Sequence, residues 1–283
     1  MKRMKKIRVV LSVLVVSLVS ISASQLIDFP EKLDFAGEEV PLHISDVRER
    51  MDKELVINEY MHGSTILILK RANKFFPIIE PILAKNNVPD DFKYLAVIES
   101  SLTNATSSAG AKGFWQLMPQ TAKEKGMEVN DLVDERYHLE KSTEAACNYL
   151  LAAKQKFGSW TVAAASYNGG MNGLQKQIDF QETNSYYDLL LVEETSRYVF
   201  RILALKEIMK NPEKYGFVLP KEALYSPIVT KKIEVDSSIT NLAKFAKSQG
   251  VNYKELKLHN PWLRDRKLDN PEKKKYTLEI PLK

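Results

Sequence analysis

The chain has 283 residues and one cysteine, Cys147, so no internal disulfide staples it and its length must carry a core of its own. Its formal charge of +5 says little about partners, because five of the 41 basic residues fall within the first eight positions and the remaining 36 are matched by 36 acids. From Lys221 onward 14 basic residues face 8 acidic ones, a thin surplus spread along a tail, so no nucleic-acid partner is expected.

The N-terminus comes first. Lys2, Arg3, Lys5, Lys6 and Arg8 precede an apolar run over residues 9–21, and Ser22-Ala23-Ser24 supplies small residues for cleavage. This predicts an export signal over residues 1–24, with Gln25 as the mature start. The run is shorter than the ~20 residues a bilayer-spanning helix needs. Left uncleaved, it would instead associate the chain with a membrane. No cysteine stands directly after it, so a lipid-modified cysteine is not expected there.

Beyond an irregular stretch to about residue 44, apolar residues recur every three or four positions through residues 47–62 and 65–85, predicting two helices. Pro77 and Pro81 are expected to divide the second. After the turn 86–90 (NNVPD), a helix is predicted over 91–102, capped by Asp90 or Asp91. A polar loop over 103–113 leads to a short helix at 120–125, then to helices at 139–157, 161–167 and 185–210. Cys147 falls in an apolar helical pattern and reads as buried packing. Asp131, Asp134 and Glu135 read as a solvated loop.

Strand-like alternation enters only at residues 228–235 (IVTKKIEV). Residues 239–249 and 253–259 repeat as helices, and 276–281 closes as a strand. The fold class is therefore mainly α with a small α+β module at the C-terminus. The predicted division is an N-terminal helical extension (25–88), a central helical domain (89–215) and a separate β-α-α-β module (228–283), with a boundary near residues 220–227.

Phe92, Leu95, Ala96 and Glu99 occupy positions i, i+3, i+4 and i+7 and share one helix face. A carboxyl on that stripe faces a core or a cleft wall, where desolvation raises its pKa and suits it to general-acid work. A structural glutamate paired with a cation is the alternative. Glu99 is followed by the run 110–122 (GAKGFWQLMPQTA), in which Trp115 and Met118 offer apolar surface and the Gln116 amide both donates and accepts. A sugar, weakly apolar on its faces and polar on its edges, needs that mixture. In residues 163–172 (AAASYNGGMN), the alanines permit close packing and Gly169-Gly170 ends the helix, holding Tyr167 and Asn168 at its tip. Glu194 and Tyr198 lie one turn apart on one side of a helix. His43, His62, His138 and His259 are scattered without ligand spacing, so no metal or other cofactor is expected.

Taken in order, Glu-Ser-Ser, Gly-x-x-Gly-x-x-Gln-Leu-Met-Pro-x-Thr-Ala, Ala-x-Tyr-Asn-x-Gly and Glu-Thr-x-x-Tyr-Val make the region 47–209 similar to a lytic transglycosylase with the soluble-type, lysozyme-like catalytic domain. The flanking regions resemble the membrane-bound murein transglycosylase D subgroup. The resemblance implies that Glu99 is the catalytic acid/base and that Gln116, Met118, Tyr167, Asn168, Glu194 and Tyr198 line or shape the substrate cleft. Counting back from Gly110 adds Ser107 to this set; counting forward from Glu99 selects Ser108 instead. It further implies peptidoglycan glycan strands as partner, a periplasmic or cell-envelope location, and cleavage at N-acetylmuramic acid that leaves 1,6-anhydro ends. A hydrolytic muramidase would need a second, water-activating carboxylate, and an inactive glycan-binding scaffold is the rival from another class.

The tail resembles a LysM peptidoglycan-binding module: Ile239, Leu242, Ala243 and Ala246 give the helical face, Asn260-Pro261 the turn, and residues 276–281 the closing strand. Asp236-Ser237-Ser238 replaces the usual Gly-Asp-Thr opening, and the charged stretch 262–275 is longer than usual. Glycan binding and a structural cap are both open readings of it.

Overall fold

The computed structural model describes residues 29–282. The expected export signal lies outside the described residues, and among those described no helix is long and apolar enough to cross a membrane. From Glu31 on, the chain forms one compact unit.

A two-stranded hairpin, β1 (Asp34–Phe35) and β2 (Glu38–Glu39), precedes the helices α1 (Ser45–Tyr60), α2 (His62–Lys85), α3 (Lys93–Ser100), α4 (Pro119–Glu124), α5 (Leu139–Phe157), α6 (Trp160–Gly169), α7 (Met171–Gln181) and α8 (Glu193–Lys210). The tail then adds β3 (Thr230–Val235), α9 (Leu242–Ser248), α10 (Tyr253–His259) and β4 (Tyr276–Pro281), with β3 and β4 antiparallel from Thr230↔Pro281 to Val235↔Tyr276. The described fold is mainly α, with this β-α-α-β module at its end.

The organising element is α8, which packs against α1, α3 and α6. Val199, Phe200, Ile202, Leu203, Ala204 and Ile208 are all buried, so the helix is apolar on most sides, as a central helix must be. Ala163, Ala164 and Ala165 of α6 are fully buried and short, which lets α5 and α8 approach it closely. Charges on α8 reach back to the N-terminal segment. Lys206 Nζ sits 2.6 Å from Asp91 and 3.2 Å from Asp34, and Arg197 Nε sits 2.6 Å from the buried Glu54. Each removes the cost of an unpaired buried charge.

Several local expectations are corrected. Helix α2 runs unbroken through Pro77 and Pro81, which lie four residues apart on the exposed side, where water can satisfy the carbonyls they free. Neither Asp90 nor Asp91 caps α3: Asp90 pairs with Lys93, and Asp91 accepts from Ala36 N and Lys206. Residues 185–192 are not helical, because Tyr186 is drawn into the core and donates its hydroxyl to the carbonyls of Thr195 and Ser196. Helix α7 stands instead at Met171–Gln181, where only Leu174 is buried. Ile239 pairs with Leu268 as an isolated bridge, so α9 starts three residues later than periodicity suggested.

The tail folds as predicted but is not a separate body. Val133 and Tyr137 of the central domain share one hydrophobic core with Leu242, Leu256, Trp262 and Leu278. Asp134 N donates to Trp262 O (2.9 Å), Arg264 N donates to Leu132 O (2.8 Å), and Lys274 pairs with Glu128. Asp134 and Glu135, read as solvated, are therefore buried at 3 % and 4 % exposure, the first against Arg136 and the second beside Lys141.

Candidate active site

Glu99 stands in the last turn of α3. Every other side chain from Phe92 to Ser100 is buried and Glu99 alone is partly buried, so the helix presents one carboxyl at the edge of its packing. The helix stops directly after it: Ser101 and Leu102 both take left-handed backbone angles (φ 51° and 55°), unusual for residues with side chains, and turn the chain away. Ser101 N still bonds to Val97 O at 2.8 Å.

Among the described residues the Glu99 carboxyl has one side-chain donor, the hydroxyl of Tyr198 on α8, which bonds to Oε1. Burial pushes its pKa up from 4.5 to about 7, the Tyr198 bond and the Arg201 charge only partly opposing this, and the Glu194 charge adding to it. Arg201 does not neutralise Glu99 by contact; its Nη2 donates to Ile98 O at 3.2 Å. Tyr198 is buried, and both burial and the Glu99 charge hold its phenol well above the usual tyrosine value, so it stays a donor. A carboxyl that is protonated near neutrality, yet beside a donor and a cation that can steady its anion, is equipped to give a proton and take one back.

Around it, Tyr167 and Asn168 stand at the end of α6, as the sequence suggested, but both are tied down. Tyr167 donates to Trp115 O (2.8 Å) and packs edge-on against Tyr149 at 5.1 Å. Burial and the Glu99 charge raise its phenol far above the usual value. Asn168 Nδ2 donates to Glu194 Oε1 (3.1 Å), and Asn168 Oδ1 accepts from Thr195 Oγ1 (2.8 Å). Glu194 thus belongs to a small network joining the end of α6 to the start of α8. Gly170 ends α6 with φ 72°, as a C-cap does, but Gly169 has a different task. A Cβ there would lie 3.0 Å from Thr195 Cγ2, so a side chain at 169 would make the threonine shift where α6 meets α8. Buried Thr195 was missed; the close approach of Gly169 is the signal that points to it.

The loop of residues 101–118 adjoins this group through the Tyr167–Trp115 bond. Gln116 has φ 45°, and its Nε2 donates to Gly113 O (2.8 Å) and Ala105 O (3.1 Å), closing the loop on itself. Met118 is 42 % exposed. Ser107 pairs through its backbone with Ala111 and accepts from Ala111 N at its hydroxyl (3.0 Å), while Ser108 is exposed. Trp115 is corrected: it has no exposed surface, and its Nε1 donates to Thr143 Oγ1 at 2.8 Å, so it anchors the loop rather than offering a ring face. The structure therefore brings Glu99, Tyr198, Tyr167, Asn168 and Glu194 into one neighbourhood. Ser107, Gln116 and Met118 sit on the adjoining loop, where the bonds of the first two run within that loop. Cys147 is buried and its thiol is pushed up to about 12, which fits packing rather than nucleophilic chemistry. Among the described residues no group of three His, Cys, Asp or Glu could hold a metal ion.

Residues 76–189, which hold this arrangement from α3 to the tip of α6, match the family described as Transglycosylase SLT domain. That segment is similar to an SLT domain. Behind it, residues 231–283 match the soluble lytic transglycosylase C-terminal LysM-like domain. The curated relatives include membrane-bound lytic murein transglycosylase D from Escherichia coli strains K12 and O6:H1, each 31% identical over 235 residues that span 80% of this chain and 50% of the relative. The chain thus spans about half the length of these relatives. Glu194 and Tyr198 lie beyond the matched SLT segment, on α8, and the Tyr198–Glu99 bond is one of several contacts that tie that helix to it.

Proposed function

We propose that the protein is a peptidoglycan lytic transglycosylase of the cell envelope and that Glu99 is its acid and then its base. The observation that carries this reading is the Glu99 carboxyl, held near a pKa of about 7 by burial with one phenol as its side-chain donor. Support comes from the SLT match around it and from the similarity to a protein named for lytic murein transglycosylase activity.

In the proposed reaction, protonated Glu99 gives its proton to the glycosidic oxygen between N-acetylmuramic acid and N-acetylglucosamine. As the C1–O bond breaks, the carbonyl oxygen of the muramic 2-acetamido group bonds to C1 and takes up the positive charge. Glu99, now a carboxylate steadied by Tyr198, removes the proton from the muramic C6 hydroxyl. O6 bonds to C1, the acetamido oxygen leaves, and Glu99 is protonated again. No water is consumed and no second carboxylate is required, in contrast to the common two-carboxylate glycosidases. Ser107, Gln116, Met118, Tyr167 and Asn168 line the substrate cleft in this account, and Glu194 holds Asn168 in place. We further assign residues 1–24 to an export signal or membrane tether, 25–88 to a helical extension, 89–215 to the catalytic domain and 228–283 to the LysM-like module.

Digestion of purified peptidoglycan followed by mass measurement tests the reading. Products one water lighter than ordinary muropeptides are expected; reducing ends would show a hydrolase, and no release with retained binding would show a scaffold.

A further inference from the structure

We infer that Arg136 is a positioning residue that braces the Gln116 loop against the C-terminal module, so that docking of the module fixes the geometry of the cleft wall. This rests on the reading of Glu99 and its cleft given above.

Arg136 is 3 % exposed, and its guanidinium donates in two directions. Nε and Nη2 clasp the two oxygens of Asp134 at 2.9 and 2.8 Å. Nη1 donates to Gly110 O at 2.9 Å and to Leu117 O at 3.1 Å, the two ends of the segment that carries Gln116 and leads into Met118. One planar fork thus holds both ends of a loop, which a lysine's single ammonium cannot do with the same geometry. The backbone joins in. A Cβ on Gly113 would lie 2.0 Å from Arg136 O, so the middle of the loop is pressed flat on residue 136. Lys112 adds its ammonium 3.5 Å from Asp134.

The other side of the same short segment is the docking surface of the module. Asp134 N donates to Trp262 O, Val133 bridges to Leu263, and the Arg264 guanidinium lies 4.2 Å from the centre of the Tyr137 ring. Lys274 reaches Glu128 and, at 3.6 Å, Glu135. Residues 128–138 are therefore a strap with the module on one face and the cleft loop on the other, and Asp134 and Arg136 are where the two faces meet. A buried ion pair is weak evidence of net stability, but it fixes a geometry, and removing one partner strands the other together with the carbonyls it held. This gives the long charged stretch 262–275 a structural task without asking it to bind glycan.

The test uses the full chain with Arg136→Lys, and separately with Arg264→Ala and Lys274→Ala together, two side chains that contact the strap from outside the module core. Turnover of soluble glycan strands and amide hydrogen exchange are both followed. For R136K the expected result is a kcat about tenfold lower, with the alkaline midpoint of the pH profile still near 7 because Glu99 and Tyr198 are untouched. Amides of residues 110–117 should exchange at least about tenfold faster, with α3 and α8 unchanged. The double variant should show the same pattern in weaker form. Unchanged turnover and loop exchange in both variants would overturn the inference. Faster exchange spread equally over α3 and α8 would do the same, since it marks a merely structural role. Should R136K not fold, the double variant decides alone. If the unaltered protein releases no product, the functional reading fails, while the exchange measurement still tests the brace.

Discussion

Two glutamates, at opposite ends of two helices, receive opposite treatment. Glu38, on the N-terminal hairpin, reaches the start of α6, where Trp160 N, Thr161 N, Ser159 Oγ and Thr161 Oγ1 all donate to it and Lys154 stands 3.3 Å away. Burial opposes its charge, yet these donors hold its pKa down at about 2. It acts as a helix cap supplied from more than a hundred residues away. Glu99, at the end of α3, has the Tyr198 phenol as its side-chain donor, and burial wins, carrying it to about 7. The contrast teaches that burial alone does not make a proton donor. What separates a structural carboxylate from a chemical one here is the number of donors aimed at it.

The comparison can be broken in several places. The largest effect is expected from Glu99→Gln, which removes the proton relay. Release from purified peptidoglycan, followed by muropeptide yield, should fall by roughly 10²–10⁴-fold. The same substitution should stabilise the fold at alkaline pH. The folded pKa of Glu99 lies above its ordinary 4.5, so between 4.5 and about 7 the native state binds more protons than the unfolded one and wild-type stability declines as pH rises. The glutamine variant lacks that decline. By urea unfolding, the gap between variant and wild type should grow by on the order of 3 kcal/mol from pH 4 to pH 8.

Glu38→Ala should go the other way and cost about 2 kcal/mol at neutral pH, since it strands two backbone donors and two hydroxyls at the start of α6. Here the folded pKa is depressed. The stabilisation is full above about 4.5 and is lost as pH falls toward 2, so acid unfolding of wild type and variant should converge in that window. The smallest effect is expected from Tyr198→Phe. Losing the donor that favours the anion should raise the Glu99 pKa further, moving the alkaline limb of the pH–rate profile upward while turnover at pH 6 falls less than about tenfold.

Much of this was legible in the sequence, for a definable reason. Glu99, Tyr167, Asn168 and Tyr198 sit in local patterns (a helical stripe, a Gly-Gly stop and a one-turn spacing) that place them on helix faces and ends, and the resemblance carried by the four ordered motifs is what singled them out as site residues. Helix α5 is apolar every three to four residues over 19 positions, and its end is marked by Gly158 in the left-handed conformation. What escaped depends on partners far along the chain. Glu38 falls in the stretch read as irregular, and nothing local marks it until α6 is placed beside it. Trp115 resembles a sugar platform until Thr143 claims its indole. Asp134 and Glu135 look solvated because the module that covers them comes more than 90 residues later. Helix α7 did leave a signal in Met171, Leu174 and Ile178, a stripe too thin to stand out beside the polar residues around it.

The most direct measurement is a carbon-13 NMR titration of the glutamate side-chain carboxyls in the intact protein, with Glu99→Gln used to assign the Glu99 resonance. A midpoint near 7 for Glu99, with Glu38 still ionised at pH 4, is the result predicted. A Glu99 midpoint near the ordinary 4.5 would contradict the account, because a carboxyl ionised at neutral pH has no proton to give.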